Sequence, residues 1–263
     1  MLANLANLFR HRGLISALVA RELKARYRGS VFGFLWSFIN PLLLLLIYSF
    51  VFTVVIPNQE EKAQPYALFM FCGILPWTWF ATSLSDAAGS LIAGGNLIKK
   101  VLFPAEVLPL VNVMANMVHF FLGLPILIAF LIYYQRSVSI GEILWFPVIV
   151  GVQLVFTTAL ALFLSAMTVH FRDLKDLISN VLTLWFFATP IIYPMHLAPA
   201  DMAWLLNLNP MTHIMRSYQQ VLFFDGPLGH QKPLALVGLL SIGIFLLGYF
   251  VFDRLRDSFA EEV

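Results

Sequence analysis

The chain has 263 residues, 60% of them hydrophobic and 11% charged, with a mean hydropathy of +0.84. A soluble domain carries about 25% charged residues, so a water-soluble fold is excluded. Net charge is only +2, and its distribution along the chain is more informative than its sum.

Apolar runs of about 20 residues recur, the length of a helix that crosses roughly 30 Å of hydrocarbon. They do not alternate: "NPLLLLLIYSFVFTVVI" is apolar on every side. A transmembrane β-barrel would alternate apolar and polar residues, so the expected class is an all-α polytopic membrane protein.

In chain order, residues 1–30 come first. Ile15, Val19 and Leu23 recur at i, i+4, i+8, and Arg21, Lys24 and Arg28 recur on the opposite side. This pattern predicts an amphipathic helix lying at the cytoplasmic membrane surface, its cations toward anionic headgroups. Arg26 falls on the apolar side and would have to snorkel. A nucleic-acid-binding arm is the rival explanation of this charge, but no base-stacking or groove-reading module follows it. The first 30 residues lack a compact apolar core followed by a small-residue cleavage site, so the first span is expected to act as an uncleaved insertion signal. Gly29 and Gly33 suit a bend from the surface helix into that span.

Six spans are predicted, near 33–56, 66–87, 108–132, 143–168, 177–194 and 234–252. Within the first, Pro41 removes a backbone donor and tends to kink the helix. Asn40 beside it is expected to face another helix or a wet cavity, not lipid. Arg10, Arg12, Arg21, Lys24, Arg26, Arg28, Lys99, Lys100, Arg172, Lys175, Arg254 and Arg256 fall on one side of this topology. Only Lys62, Arg136, Arg216 and Lys232 fall on the other. The positive-inside rule therefore places both termini in the cytoplasm. Residues 195–233 are apolar but broken by Pro199, Pro210, Pro227 and Pro233. They predict two short helices dipping back into the outer leaflet, with Asp201 capping the first and Thr212 the second.

Several chemistries have no residues to carry them. There is no G-x-x-x-x-G-K-[ST] loop, no H-E-x-x-H and no clustered His/Cys pattern, so neither a nucleotide site of the usual kind nor a metal site is expected. Cys72 is the lone cysteine and is expected to be a small buried hydrophobe. His119 lies mid-span and is expected to be a neutral, hydrogen-bonded group. Asp86 and Glu106 stand near the cytoplasmic ends of spans two and three. An ion-driven carrier would need more buried carboxylates than these, and no catalytic dyad is placed. The chain reads as a conduit whose energy comes from elsewhere.

Three long stretches then carry a resemblance: "RELKARYRGSVFGFLWSFINPLLLLLIYSFVF", "FRDLKDLISNVLTLWFFATPIIYP" and "LNPMTHIMRSYQQVLF". In that order, and over essentially the whole chain, it resembles the membrane subunit of ABC-type polysaccharide exporters. These are the type 2 permeases that export O-antigen, capsule or teichoic acid chains. The resemblance implies a single transmembrane domain, residues 1–263, forming a homodimer in the bacterial inner membrane. It implies two copies of a separate ATPase subunit that bind ATP and magnesium, so that this chain carries no cofactor and is not itself an enzyme. It also implies a coupling helix at 94–107, where Leu97, Val101 and Leu102 insert into the ATPase with Lys99 and Lys100 outward and Phe103 in the same contact. Arg172 and Asp173 would make a second ATPase contact, although Asp173 also suits a helix cap.

A polysaccharide conduit needs weak, repeated contacts, which aromatic faces supply against the C–H faces of sugars. Tyr48 and Phe52 share one face of span one. Trp185, Phe186, Thr189 and Tyr193 share half of span five. These are the expected pore-lining residues, and Arg26 and Arg28 the expected contacts for a lipid pyrophosphate headgroup. A type 2 permease for a drug or lipid is the nearest alternative, and a membrane-embedded enzyme or a self-contained channel stands further off.

Overall fold

A computed structural model describes residues 11–55, 64–99, 103–136, 140–224 and 226–262. Arg10, Lys62, Lys100, Val101 and Leu102 lie outside the described residues. The described chain is all-helical. Helix α1 (Arg12–Arg26) leads through a turn and a short 3-10 segment into α2 (Trp36–Phe50), which widens over Val51–Val55 into a π-helical turn. Helix α3 (Tyr66–Ala88) is followed by two single-turn helices, α4 (Ser90–Ala93) and α5 (Gly95–Ile98). Then come α6 (Val107–Tyr133), the short α7 (Ile140–Ile143), α8 (Phe146–His170) and α9 (Leu174–Phe187). Last are α10 (Ala200–Leu208), α11 (Pro210–Leu222), α12 (Gln231–Leu255) and α13 (Phe259–Glu262).

Among the described residues, five helical stretches are long and apolar enough to cross a membrane: Gly33–Val55, Tyr66–Ala88, Val107–Tyr133, Gly141–His170 and Gln231–Ser258. The chain is a multi-pass membrane protein. The stretch read as a span at 177–194 forms a helix of only 14 residues, about 21 Å at 1.5 Å per residue. It ends before the predicted boundary because Thr189 precedes Pro190, and a residue before proline leaves the α region readily.

Helix α3 is the centre. Of its most apolar window 83% is buried, against 6% for the stretch containing α2. Burial against lipid-like surroundings gives little hydrophobic gain, because hydrocarbon tails are as apolar as leucine. Close packing holds such helices together instead. Trp79 lies at 5.3 Å from Phe120, and Phe80 stacks on Phe156 at 5.9 Å, both centroid distances. Cys72 is buried in this core, as expected. The prolines inside α2, α3 and α6 are Pro41, Pro76 and Pro125. Gln153 of α8, fully buried, donates its Nε2–H to the carbonyl of Pro76 at 2.8 Å.

The helix caps of the outer segment differ from the expected ones. Asp201 stands inside the first turn of α10, because Pro199 takes the N-cap position. Asn209, not Thr212, caps α11: its side chain accepts from the N–H of Met211 at 3.0 Å, while Thr212 is buried within the helix. Asn is as good a cap as Asp or Ser, and Pro210 fits the first helical position because it has no N–H to lose.

Helices α8 and α12 form the tightest pair. A Cβ at Gly248 would sit 2.7 Å from the Ala159 carbonyl oxygen, a backbone atom that cannot turn aside. Gly248→Ala is therefore expected to lower stability by about 1–3 kcal/mol, the usual cost of overpacking. Gly243→Ala, where a Cβ meets nothing within 4 Å, is expected to leave it unchanged or raise it. Thermal unfolding in detergent separates the two; equal melting temperatures would deny the close approach.

Candidate functional site

The first half of the chain builds a cavity of about 500 Å³ where α1 turns into α2 against α3 and α6. The turn is made by Gly29 at φ +80° and Gly33 at φ +49°, a backbone region that side chains other than glycine enter at a cost. Leu18 of α1 is buried against Val107 and Val111 of α6, with Leu14, Ile15 and Val19 packed beside it. The apolar stripe of α1 thus lies on protein.

Arg26 closes this arrangement. Its Nη2 donates to Asp86 Oδ2 and its Nη1 to Asn116 Oδ1, each at 2.8 Å. Asn116 Nδ2 donates to the same carboxylate oxygen at 2.9 Å and to the Asn112 carbonyl at 3.0 Å. One arginine at the end of α1 is thereby tied to both α3 and α6, and it does not need to reach for the interface. Neither Asp86 nor Asn116 was legible as its partner, since they lie 60 and 90 residues away.

The next residue, Tyr27, accepts from Ser37 Oγ at 2.9 Å, and its hydroxyl lies 3.4 Å from His119 Nδ1. If the phenol donates to Nδ1, His119 carries its own proton on Nε2, an atom that is buried and without a hydrogen-bond partner among the described residues. The expected neutral, hydrogen-bonded His119 has this partner in Tyr27. Trp36 Nε1 donates to Ser30 Oγ at 3.0 Å. Asn40 and Pro41 line the same cavity, with Thr78, Thr82 and the aromatic rings of Trp36, Trp79 and Phe120. Asn40 makes no hydrogen bond among the described residues. The lining combines flat aromatic surfaces with hydroxyl and amide groups, the mixture that receives a polar ring-shaped ligand without demanding one fixed geometry.

The other predicted site residues fall elsewhere. Tyr48 and Phe52 stack at 6.3 Å, and Phe52 lies 5.0 Å from Tyr66 of α3. Tyr66 donates in turn to the Ile192 carbonyl, beside Tyr193. Trp185 donates from Nε1 to Asn209 Oδ1 at 2.8 Å and sets its ring edge-on to Phe80 at 5.3 Å. Phe186 packs 5.7 Å from Trp77. Thr189 is fully buried between the Trp185 carbonyl and Asn209 Nδ2, and Tyr193 donates to the Phe187 carbonyl at 3.1 Å. The two groups are joined through Tyr66 and by their shared packing on α3.

At the basic end of the bundle, Arg28 and Lys99 are exposed. Arg28 makes no ion pair among the described residues. Leu97 and Phe103 pack against a cluster that includes Ala105, Phe252 and Phe259. Arg172 lies 3.5 Å from the Glu262 carbonyl. Asp173 occupies the N-cap position of α9, but its side chain makes no capping bond. Glu106 is buried and accepts from Arg256, which fixes the end of α12 to the start of α6. No group of three or more metal-ligating side chains exists among the described residues.

A multi-pass bundle with a polar-aromatic cavity at its basic end has a form that suits a transporter's membrane subunit. Residues 13–223 match the ABC-2 type transporter family, and the chain belongs to that family. It is 42% identical over 265 residues to the O-antigen export system permease protein RfbA of Myxococcus xanthus, covering 100% of both chains. It is 36% identical over 258 residues to the protein of the same name from Klebsiella pneumoniae, covering 98% of this chain and 96% of that one. The capsule polysaccharide export inner-membrane protein CtrC of Neisseria meningitidis is 22% identical over 254 residues, with 95% and 94% covered.

Because Arg26 and Asp86 are about one-third exposed, their pair is worth at most about 1 kcal/mol. Asp86→Asn is expected to speed amide hydrogen exchange in Arg12–Arg26 several-fold while α3 stays protected. High salt should move the wild type toward the variant. Unchanged exchange in α1 would deny that this network holds the helix.

Proposed function

We propose that the chain is the channel-forming subunit of an ATP-driven exporter that moves a lipid-linked, O-antigen-like polysaccharide out of the cytoplasm across the bacterial inner membrane. It works as a pair of copies with two copies of an ABC ATPase, which alone binds ATP and magnesium. The export systems to which its relatives belong support the substrate class. The cavity beside Asn40 and Pro41 is the observation that carries a role for this chain's own residues: its aromatic and hydroxyl lining suits sugars, and it lies where the surface helix meets the first span.

In this reading both termini are cytoplasmic, which the Lys and Arg distribution supports. The fifth of six spans consists of α9 extended by residues 188–194, and α10 and α11 are re-entrant at the outer leaflet. The exposed apolar faces of α2 (Leu42, Leu43, Leu46, Ile47) and α9 (Leu177, Val181, Leu184) support contact with the second copy and lipid. The segment 94–107, including Leu97, Lys99, Lys100, Val101, Leu102 and Phe103, receives the ATPase, with Arg172 and Asp173 beside it. The ATPase closes on ATP, shifts this segment, and opens a path between spans one and five. Tyr48, Phe52, Trp185, Phe186, Thr189 and Tyr193 border that path. Arg28 meets the lipid pyrophosphate, and Arg26 orients the surface helix that presents it.

The test is reconstitution of the chain with its ATPase in vesicles, reading glycan-stimulated ATP hydrolysis and export. Trp36→Ala and Arg28→Ala are expected to lower both several-fold with the complex still assembled. Leu246→Ala, on the exposed face of α12, is expected to leave them unchanged. Wild-type rates in both site variants would remove the intake role, and absence of any ATP-dependent glycan export would remove the function itself.

A further inference from the structure

A second cavity, of about 610 Å³, lies at the opposite end of the bundle from Arg26. It is walled by α10, α11, the turn at Pro194 and Met195, and the loop at Gly229 and His230, with Phe69 of α3 at its floor. Its charge is one-sided. Arg216 of α11 lines it, together with His196, His230 and the amides of Asn207, Gln219 and Gln220, and no carboxylate lines it among the described residues. Arg216 is half-buried and has neither an ion pair nor a hydrogen bond among the described residues. Buried charges in folded proteins are normally paired, so this guanidinium lacks a counter-charge that the described lining does not provide.

The neighbouring histidines form a chain of hydrogen bonds. His213 Nε2 lies 2.8 Å from the Asn207 carbonyl, so it carries the proton and donates. The bare Nδ1 of His213 then accepts from His230 Nε2 at 3.4 Å. His230 is left with Nδ1, which becomes an N–H donor once the ring is protonated. Burial, and then the adjacent Arg216 and His213, push His230 down to about 4, so the ring is neutral at physiological pH. An anion beside Arg216 offsets that field and favours the second proton. The Gln219 amide donates to the Pro190 carbonyl at 3.0 Å and the Gln220 amide to the Pro227 carbonyl at 3.1 Å. Both walls are therefore fixed by bonds that leave the guanidinium unspent.

We infer that this cavity is an anion site for a phosphate or pyrophosphate group, held by the two-pronged fork of Arg216 with His230 beside it. The fork geometry of arginine matches phosphate oxygens. On the orientation proposed above, on which this inference rests, the site faces the outer leaflet. It would hold the pyrophosphate that links a glycan to its lipid once the headgroup has crossed, at the far end of the path from Arg28.

The test uses the full chain carrying Arg28→Ala, so that the headgroup contact proposed at the basic end does not contribute, in phosphatidylcholine nanodiscs, where both faces are accessible. It is titrated with a polyprenyl pyrophosphate, with the uncharged polyprenol, and with inorganic pyrophosphate, and binding is read by thermal stabilisation. The polyprenyl pyrophosphate is expected to bind and the polyprenol not. Arg216→Gln should weaken binding at least about tenfold, the loss of one charge-assisted pair, while Arg216→Lys keeps part of it. Inorganic pyrophosphate binding as tightly, with the same loss in Arg216→Gln, would assign the site to a free anion in place of a lipid headgroup. Gln220→Glu gives Arg216 an internal counter-charge in place of the amide's bond to the Pro227 carbonyl, so wherever it folds it should abolish binding, even if Arg216→Gln misfolds. Wild-type affinity in the folded variants, Gln220→Glu included, would overturn the site. The orientation is read separately in intact cells by labelling Met202→Cys with an impermeant maleimide, the native Cys72 being buried. Labelling only after permeabilisation would overturn the outward placement while leaving the anion site standing.

Discussion

The constraint behind this structure is that hydrocarbon offers no water to the backbone. Each peptide N–H and C=O must find a partner inside the protein, at a cost of several kcal/mol for each failure. Helices satisfy most of them. Side-chain hydroxyls face the same demand and meet it within their own helices: Thr78, Thr168 and Ser241 each donate to the carbonyl four residues earlier. Where the backbone leaves the helix, longer side chains take over. Asn209 bonds the Ala188 carbonyl, Gln219 the Pro190 carbonyl, and Tyr66 the Ile192 carbonyl. The irregular stretch after α9 is thereby sealed against α3 and α11.

The same constraint sorts the charged residues. They occur at the two ends of the bundle, and at the basic end they tie helices together. Arg26 joins α1 to α3 and α6, and Arg256 joins the end of α12 to Glu106. At the opposite end Arg136 covers the Phe223 ring at 4.7 Å, and Glu142 accepts from the Leu228 N–H at 2.7 Å. A surface helix held through one arginine and one apolar stripe can be displaced without unfolding the bundle. That property suits a helix at the mouth of a transport path. The enclosed α3, with aromatic rings on several sides, supplies the fixed frame.

Much of the first cavity could be read from local sequence, because its parts are adjacent. Gly29 and Gly33 mark the bend, and the Asn40-Pro41 pair in an apolar run marks a face that is not lipid. The long-range partners could not be read, since a sequence shows no proximity between Arg26 and Asp86. The aromatic residues of α9 show the opposite difficulty. Trp185 and Thr189 look like a polar face on a helical wheel, yet in the fold their polar atoms bond Asn209 and the backbone. In the sequence Arg216 is one of four cations on the minority side, and only its surroundings reveal that it lacks a counter-charge.

Composition and hydrophobic run length alone determined that this is a helical membrane protein with its basic face to one side, because the bilayer fixes helix length and charge placement without reference to tertiary contacts. The three long motif stretches placed it in its family. Tertiary structure decided which helix is enclosed, why α9 stops at Phe187, and which cations are bound and which are free. Those outcomes depend on side chains dozens of residues apart meeting at hydrogen-bond distance, and no local pattern encodes that meeting.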